Sequence, residues 1–424
     1  MSGSSSSRVL LGDLCTLIVE QVDPLTTAQD RCYIGLEHLR PGRLRVENSG
    51  RATDVQSHKF AFVKGDVLYG KLRPYLDKAI LADVDGICTT ELLVLRAKAG
   101  ITPEFLVCAI HSPEFIEHAM SGVTGAHHPR TSWGHISTFE VSSLSESQQR
   151  AASQLLWRIQ NLIVKCERGI ITAQKIKYET MNQLFARGLR GEAQKETEIG
   201  LVPESWEVVQ LGSLGKIGNG STPKKTVPEY WIGGTYPWLT SAKVYDREIT
   251  SADQFVTDTA LAKCHLPRVK PGAVLMAITG QGKTLGHCAV LTIEASVSQH
   301  VAYLQTDTSK ADPSFVRGYL ETQYEYLRQV ASGGGSTKGA LTCAFLKGLP
   351  IPLPELPEQR EIVTILDAID KKIELHLQKK SVLDELFRSL LHKLMTGEIS
   401  VEDLDLSALT SEEPQPKTEA EMQS

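Results

Sequence analysis

The chain has no run of 18 consecutive apolar residues, which excludes a membrane-spanning helix of ordinary length. Its opening, MSGSSSSRVLLGDL, has no hydrophobic signal region, so we expect no secretion, no membrane and a cytoplasmic location. The eight cysteines are scattered without a C-x-x-C pair, which argues against zinc and against a disulfide framework and suits a reducing compartment. Catalytic signatures are missing too. There is no (D/N)-P-P-(Y/F) amine-methylation motif, no glycine-rich S-adenosylmethionine loop, no acid-acid-Lys nuclease cluster and no helicase set. Ser, His and Asp occur throughout, but no spacing singles out a triad. The expectation is a non-catalytic chain with no catalytic residues, no metal and no cofactor of its own. A strongly basic composition is also lacking, since the net charge is −5. The charge is uneven, however. Residues 145–195 hold 9 basic and 4 acidic side chains, whereas residues 356–424 hold 8 and 15. Composition alone demonstrates no DNA-binding face.

What is present is a long amphipathic pattern from Pro357 to Gly397. Apolar residues fall at Ile362, Leu366, Ile369, Ile373, Leu383, Phe387, Leu390 and Leu394, in steps of mostly three and four. This is the seam of a helix that lies against another helix. Pro357 suits the first turn and Gly397 the position just past the end. His376 and Lys380 fall on the seam and interrupt it, so the pairing is expected to be imperfect in its middle. A second copy stands earlier in the chain. There Leu156, Ile159, Ile163, Cys166, Ile170 and Ala173 repeat the seam, VSSLSESQQR (Val141–Arg150) echoes IPLPELPEQR (Ile351–Arg360), and Gly191-Glu192 echoes Gly397-Glu398.

The duplication reaches beyond the helices. Leu11-Gly12-Asp13-Leu14 matches Leu211-Gly212-Ser213-Leu214, and Val63–Leu68 matches Val269–Leu275. A Gly-Lys turn follows in each half (Gly70-Lys71, Gly282-Lys283), then a second apolar run (Ala79–Leu81, Ala289–Leu291). Thr102-Pro103-Glu104-Phe105 and Asp312-Pro313-Ser314-Phe315 each open a short helical stretch. The order is therefore domain (1–144), long helix (145–195), domain (196–355), long helix (356–398) and an acidic tail (399–424) expected to be disordered. The fold class is α+β: two similar mixed α/β domains separated by a pair of long helices. Repeats of this kind favour a pseudo-twofold arrangement with the helices antiparallel.

Several stretches invite a functional reading. Ala277-Ile-Thr-Gly280-Gln-Gly282-Lys283-Thr284 approaches a phosphate loop. Its first glycine is an alanine, and a strand-like run (Leu285–Ile293) follows where a helix should present its N-terminus. We read it as a hairpin tip carrying basic residues outward, with an NTPase built on this loop as a further alternative. Gly212, Gly215, Gly218 and Gly220 read as an exposed turn leading to Lys224-Lys225, which either touch a nucleic-acid backbone or lie solvated. His127-His128-Pro129-Arg130-Thr131-Ser132-Trp133 is dense in groups that donate to bases and phosphates. Metal at the two histidines is disfavoured for want of acidic or cysteine partners at ligand spacing. Trp133 and Trp238 read as core, with Thr240, Ser241 and Lys243 beside the latter as possible contacts.

Taken together, VKGDVLYGKLRPYLDK (Val63–Lys78), LPELPEQREIVTILDAIDKKI (Leu353–Ile373), LMTGE (Leu394–Glu398), the echo from Ser145 to Glu192 and VPESW (Val202–Trp206) resemble the specificity subunit of type I restriction–modification systems. The resemblance covers nearly all of the chain to about residue 400. It departs from the family pattern in the LSESQQR opening of the first helix and in the short Gly-rich loop Gly333–Lys338. The resemblance implies two target recognition domains, each reading half of a bipartite double-stranded DNA sequence. It further implies two methyltransferase subunits docked on the helical spacer, with restriction subunits beyond them. S-adenosylmethionine and ATP would then sit on those partners and not on this chain. Candidate DNA contacts are Lys71, Arg73, Gln281 and Lys283 on the hairpin tips, and His128, Arg130, Thr131, Thr337 and Lys338 on the loops before the helices. Lys224, Lys225 and Lys243 complete the set. The docking helices are represented by Leu156, Ile159, Ile163, Ile362, Leu366, Ile369, Ile373 and Leu390. A non-catalytic protein-binding scaffold with duplicated domains is the alternative.

Overall fold

The computed structural model describes residues 8–26, 30–125, 127–280, 283–333 and 340–404. The chain falls into two compact units, Met1–Arg168 with His376–Ser424, and Gly169–Leu375. The division runs through both long helices, Glu146–Arg187 and Leu356–Thr396, so each unit holds one recognition-type domain and a stretch of each helix. Pro357 sits in the first turn as expected, and the helix stops at Gly397, whose φ of 73° suits the residue past a helix end. The first helix is shorter than its sequence pattern suggests. It stops at Arg187 because Gly188 turns left-handed (φ 63°), and Gln194–Thr197 then pairs with Gly200–Pro203 as a hairpin.

Inside each unit the helices run antiparallel. In the first unit Glu167 pairs with Lys380 at 3.5 Å, and Ala152 and Leu394 line one small cavity. In the second, Lys177 pairs with Asp370 at 3.0 Å, and the Leu189 amide donates to Glu358 Oε1 at 3.1 Å. In both cases residue numbers rise on one helix as they fall on the other. The seam residues Leu156, Ile159, Ile163 and Cys166 are buried with Leu383, Phe387, Leu391 and Leu394 against Phe105, Phe115 and Leu95. Ile362 and Leu366 are buried with Leu184 and Phe185 against Phe315, Tyr319 and Trp206. Burial thins out between these clusters. Ile369, Ile373, His376 and Lys380 are only half-buried, as the interrupted seam predicts, and so is Leu390.

The domains repeat one plan. In the first, strands Cys15–Ile18, Leu92–Ala97, Val67–Gly70 and Ala79–Leu81 lie side by side, all antiparallel. In the second, Gly215–Asn219, Val301–Thr306, Ala273–Ala277 and Cys288–Leu291 occupy the same order, with Glu248–Ile249 added in parallel. A two-stranded clasp closes each domain: Arg8–Leu10 on Glu140–Ser142, and Glu207–Gln210 on Pro350–Leu353. Within the glycine-rich stretch Leu211–Leu214 is a 3-10 turn, and Gly215–Asn219 is corrected from an exposed turn to a strand. Its glycines serve close approach, since a Cβ on Gly215 would lie 2.1 Å from the Gln305 carbonyl oxygen. Both expected short helices form, Pro103–Ile110 and Pro313–Thr322, and the second is capped by Asp312 Oδ1 accepting from the Ser314 amide at 2.8 Å. The eight cysteines are all unbonded.

One contact joins helix to domain identically in both units. Gln149 is buried, its Oε1 accepting from the Thr102 amide (3.0 Å) and its Nε2 donating to the Leu144 carbonyl (2.9 Å). Gln359, fully buried, accepts from the Asp312 amide (2.8 Å) and donates to the Pro354 carbonyl (2.8 Å). Gln149→Ala strands the buried Thr102 amide and the half-buried Leu144 carbonyl, Gln359→Ala the half-buried Asp312 amide and the buried Pro354 carbonyl, and each is expected to cost about 1–3 kcal/mol. Chemical denaturation with hydrogen exchange resolved by segment checks this: protection is lost in the unit that carries the change and kept in the other, and the two losses add.

Candidate nucleic-acid interface

In the first domain the turn between Val67–Gly70 and Ala79–Leu81 is zipped to the loop that precedes the long helix. The Arg73 amide donates to the Pro129 carbonyl at 2.7 Å, the Thr131 amide to the Lys71 carbonyl at 3.1 Å, and Leu72 bridges Arg130. Lys71, Arg73, His128 and Arg130, proposed on two separate stretches of sequence, are thereby brought onto one edge. His128 and Arg130 are exposed, while Lys71 and Arg73 are half-buried. Lys71 Nζ is partly engaged, donating to the Thr90 carbonyl at 2.8 Å, and Arg130 Nε pairs with Glu91 at 3.0 Å. Thr131 does not belong with them. It is buried and its hydroxyl faces inward, because its backbone carries the zip, so it offers no contact to a ligand. Trp133 is half-buried against the first core, as expected.

In the second domain the phosphate-loop-like segment joins Ala273–Ala277 to the antiparallel strand Cys288–Leu291, which gives the hairpin expected and not the helix that a phosphate loop requires. Lys283 is exposed at its tip. The tip is held by aromatic residues: Tyr324 Oη donates to the Lys283 carbonyl (2.6 Å) and Tyr245 Oη meets Thr284 Oγ1 (2.9 Å). The His287 ring lies between Tyr245 and Tyr324, 4.7 Å from each centroid. Burial pushes the His287 pKa down, with Arg328 adding to the effect and Glu321 opposing it. The Leu341 amide donates to the Ile278 carbonyl at 2.8 Å, so the chain entering the second long helix region again meets the hairpin. Gln281, Thr337 and Lys338 lie outside the described residues.

Lys224 and Lys225 are exposed, and the Lys224 carbonyl accepts from Trp231 Nε1 (3.2 Å). Lys243 is less available than its sequence suggests, because it is held by Asp253 (2.9 Å) and Asp246 (3.8 Å). Trp238 is core, as expected. Sequence reasoning missed the segment beside each tip. Exposed Gln299 links Thr222, next to the Lys224 loop, to His300, and His300 Nδ1 meets Thr279 Oγ1 at the hairpin (2.5 Å). In the first domain Thr90 and Glu91 occupy the corresponding place, holding Lys71 and Arg130. The available signal was a polar interruption, Thr89-Thr90-Glu91 and Ser298-Gln299-His300, before the two equivalent strands Leu92–Ala97 and Val301–Thr306.

The docking residues also need correction. Leu156, Ile159, Ile163, Ile362 and Leu366 are used up inside their own units and offer no surface to another chain. The apolar side chains left exposed on the helices are others: Ile171, Ile176, Tyr178 (67% exposed), Ile365 and Leu375 in the second unit, and Leu377, Val382 (64% exposed) and Leu386 in the first.

Comparison with known proteins agrees with this architecture. A family model described as the type I restriction modification DNA specificity domain matches residues 203–385. The type I restriction enzyme MjaIX specificity subunit of Methanocaldococcus jannaschii is 29% identical over 208 residues, 48% of this chain and 47% of that one, so the match spans about half of that relative. The MjaX specificity subunit of the same organism, described as putative, is 25% identical over 401 residues, 89% and 90% of the two chains. Among solved structures, the type I restriction–modification S subunit from M. genitalium superposes with a TM-score of 0.60 at 14% identity. A chain from a study of complex assembly in the type I R-M system gives 0.58 at 21% identity. Each superposition covers 93% of this chain and 98% of the other, and shows the fold. In sequence the chain is thus similar to specificity subunits of type I restriction–modification systems, and it shares the fold of the solved S subunit.

Proposed function

We propose that the chain is the DNA-reading, non-catalytic subunit of a type I restriction–modification complex, with each domain reading one half of a split double-stranded target. The observation that carries this reading is the repetition of one arrangement on two dissimilar sets of side chains. In both domains a hairpin tip meets a polar loop before a sheet strand and the stretch leading into a long helix. A shared frame with different tips suits two different half-sites. The two long helices set the gap between half-sites, which matters because the register of the duplex repeats about every 34 Å. Lys71, Arg73, His128, Arg130, Lys224, Lys225 and Lys283 supply phosphate and base contacts. S-adenosylmethionine belongs to two methyltransferase subunits and ATP to restriction subunits, and the assembly works on host DNA in the cytoplasm.

Methylation sequencing of host DNA with and without the gene tests the reading. A split motif of two short half-sites loses adenine methylation when the gene is removed. An unchanged methylome in a host that expresses the complex refutes it, and the protein-binding scaffold then takes its place. With the motif known, alanine at a base-reading residue among Arg73, His128, Arg130 and Lys283 costs about 1–3 kcal/mol and relaxes one position. Alanine at a phosphate contact weakens binding to every sequence alike and flattens the salt dependence.

The exposed helix residues are assigned to the methyltransferase subunits. Tyr178→Asp and Val382→Asp place charges where apolar surface is covered in the complex. They should abolish co-purification of a methyltransferase subunit while leaving the melting temperature of the isolated chain within a few degrees. Leu156→Ala, by contrast, should cost about 2–5 kcal/mol of stability in the isolated chain. Retention of the partner by both Asp variants would remove docking from this face.

A further inference from the structure

We propose that His111 is a positioning residue for the first recognition tip, and that the two half-sites are therefore read with different pH dependence. The proposal rests on the reading of the tips as DNA contacts.

The first tip has a backbone that must be held. Its turn, Pro74–Leu76, is flanked by Arg73 (φ 52°) and Asp77 (φ 50°), both left-handed and neither a glycine. One flank is tied through the Arg73 amide to the Pro129 carbonyl. The other is tied through Asp77, whose carbonyl accepts from the Gly42 amide (2.8 Å) and whose carboxylate Oδ1 lies 2.6 Å from His111 Nδ1. His111 is only 3% exposed, at the end of the helix Pro103–Ile110. Its other ring nitrogen, Nε2, lies 3.0 Å from the carbonyl of Ala79, where the returning strand begins. One imidazole thus spans both legs of the recognition turn.

Both ring nitrogens face acceptors, a carboxylate and a carbonyl. Only the doubly protonated ring donates to both at once, and a neutral ring gives up one leg. Burial by itself pushes the His111 pKa down. The Asp77 charge and hydrogen bond, with the Ala79 and Arg43 backbone, outweigh it, so the net direction is upward from the ordinary value. Around the cavity on which His111 borders stand Arg43, Glu117, Glu167, Lys380, Asp384 and Arg388, charges of both signs from the loop and from three helices. Because the folded value is raised, the clamp is complete below the ordinary histidine pKa and is lost as pH rises through the raised one.

Among the described residues no imidazole joins the two legs of the second tip, and His300 meets only Thr279 on one of them. Its turn is fixed by the hydroxyls of Tyr324 and Tyr245, with the His287 ring tilted against both at 4.7 Å and its pKa pushed down by burial. The hydroxyl contacts to Lys283 and Thr284 require no charged imidazole.

Two arms test this on the full chain. The first is amide exchange, corrected for intrinsic rate, at about pH 6.5 and about pH 8.5. Protection of 71–79 should fall with pH while that of 283–287 holds. Asp77→Asn and His111→Gln should each abolish the pH dependence of the first tip, and Asp77→Asn, on a partly exposed side chain, keeps the test valid if the buried substitution prevents folding. The second arm uses the chain with its methyltransferase partner on a duplex carrying the motif identified by methylation sequencing, with one half-site scrambled at a time. Discrimination at the first half-site should weaken roughly tenfold in Asp77→Asn at the lower pH, and in the unaltered chain at the higher. The second half-site should not respond. Binding with equal pH response at both half-sites, or first-tip protection insensitive to pH and to Asp77→Asn, overturns the role of His111 and leaves the DNA-reading function standing. Failure of the unaltered complex to bind the duplex at either pH overturns that function itself, while the exchange arm still decides whether the clamp exists.

Discussion

The arrangement in each unit depends on a buried glutamine. Gln149 and Gln359 sit in the first turns of the two long helices, and each satisfies an amide at the start of a domain helix and a carbonyl just before its own. A neutral side chain with a donor and an acceptor at its end can bridge two backbone segments without a charge to desolvate. A carboxylate there would lack the donor and an ammonium the acceptor. The exit of helix from domain is therefore fixed by geometry and not by apolar packing alone. The same two bonds recur in the second half, so both domains are mounted on their helices in the same way.

Repetition stops where recognition begins. The sheet order, the clasp strands and the glutamine mount are duplicated, while the tips are held by unrelated chemistry: an imidazole between Asp77 and Ala79 in one, a Tyr245–His287–Tyr324 aromatic cluster in the other. A tip is a short connection whose backbone is shaped by whatever stands behind it. Once the frame is independently stable, the support can change together with the tip. On the proposed function, this separation is what would let one scaffold present two readers of different specificity.

The frame was legible in the sequence because its signals are periodic or repeated. The helix seam, the proline at 357, the glycine at 397 and the paired Val63 and Val269 segments each predict an element that forms. The first helix was read too long because Gly191 was taken for its end, although Gly188 is the residue that turns left-handed. At Gly215–Asn219 the sequence is ambiguous because glycine signals both a turn and close backbone packing, and only the neighbouring strand at Gln305 decides between them. The candidate site was legible only by residue type. Thr131 looked like its neighbours Arg130 and His128, yet its side chain turns inward. The supports, His111, Tyr245 and Tyr324, lie far along the chain from the tips they hold, and no local pattern marks them.

The helices show how one surface serves two demands. Across the middle of each helix the seam gives way to ion pairs: Glu167 with Lys380 in the first unit, Lys177 with Asp370 and Glu321 in the second. Partly buried pairs of this kind add little net stability, but they fix register, because a shift of one turn would strand each charge. Lys177 also reaches Glu321, on the domain helix Pro313–Thr322, so helix register and domain position are set by one side chain. Polar locks on the inner face leave the apolar residues of this region, Ile171, Tyr178, Leu375, Leu377 and Val382, exposed instead of spent on the seam. A seam made wholly of leucine would bind its partner helix more tightly, but it would specify register less well and would not by itself explain apolar residues that face outward where the polar pairs face in.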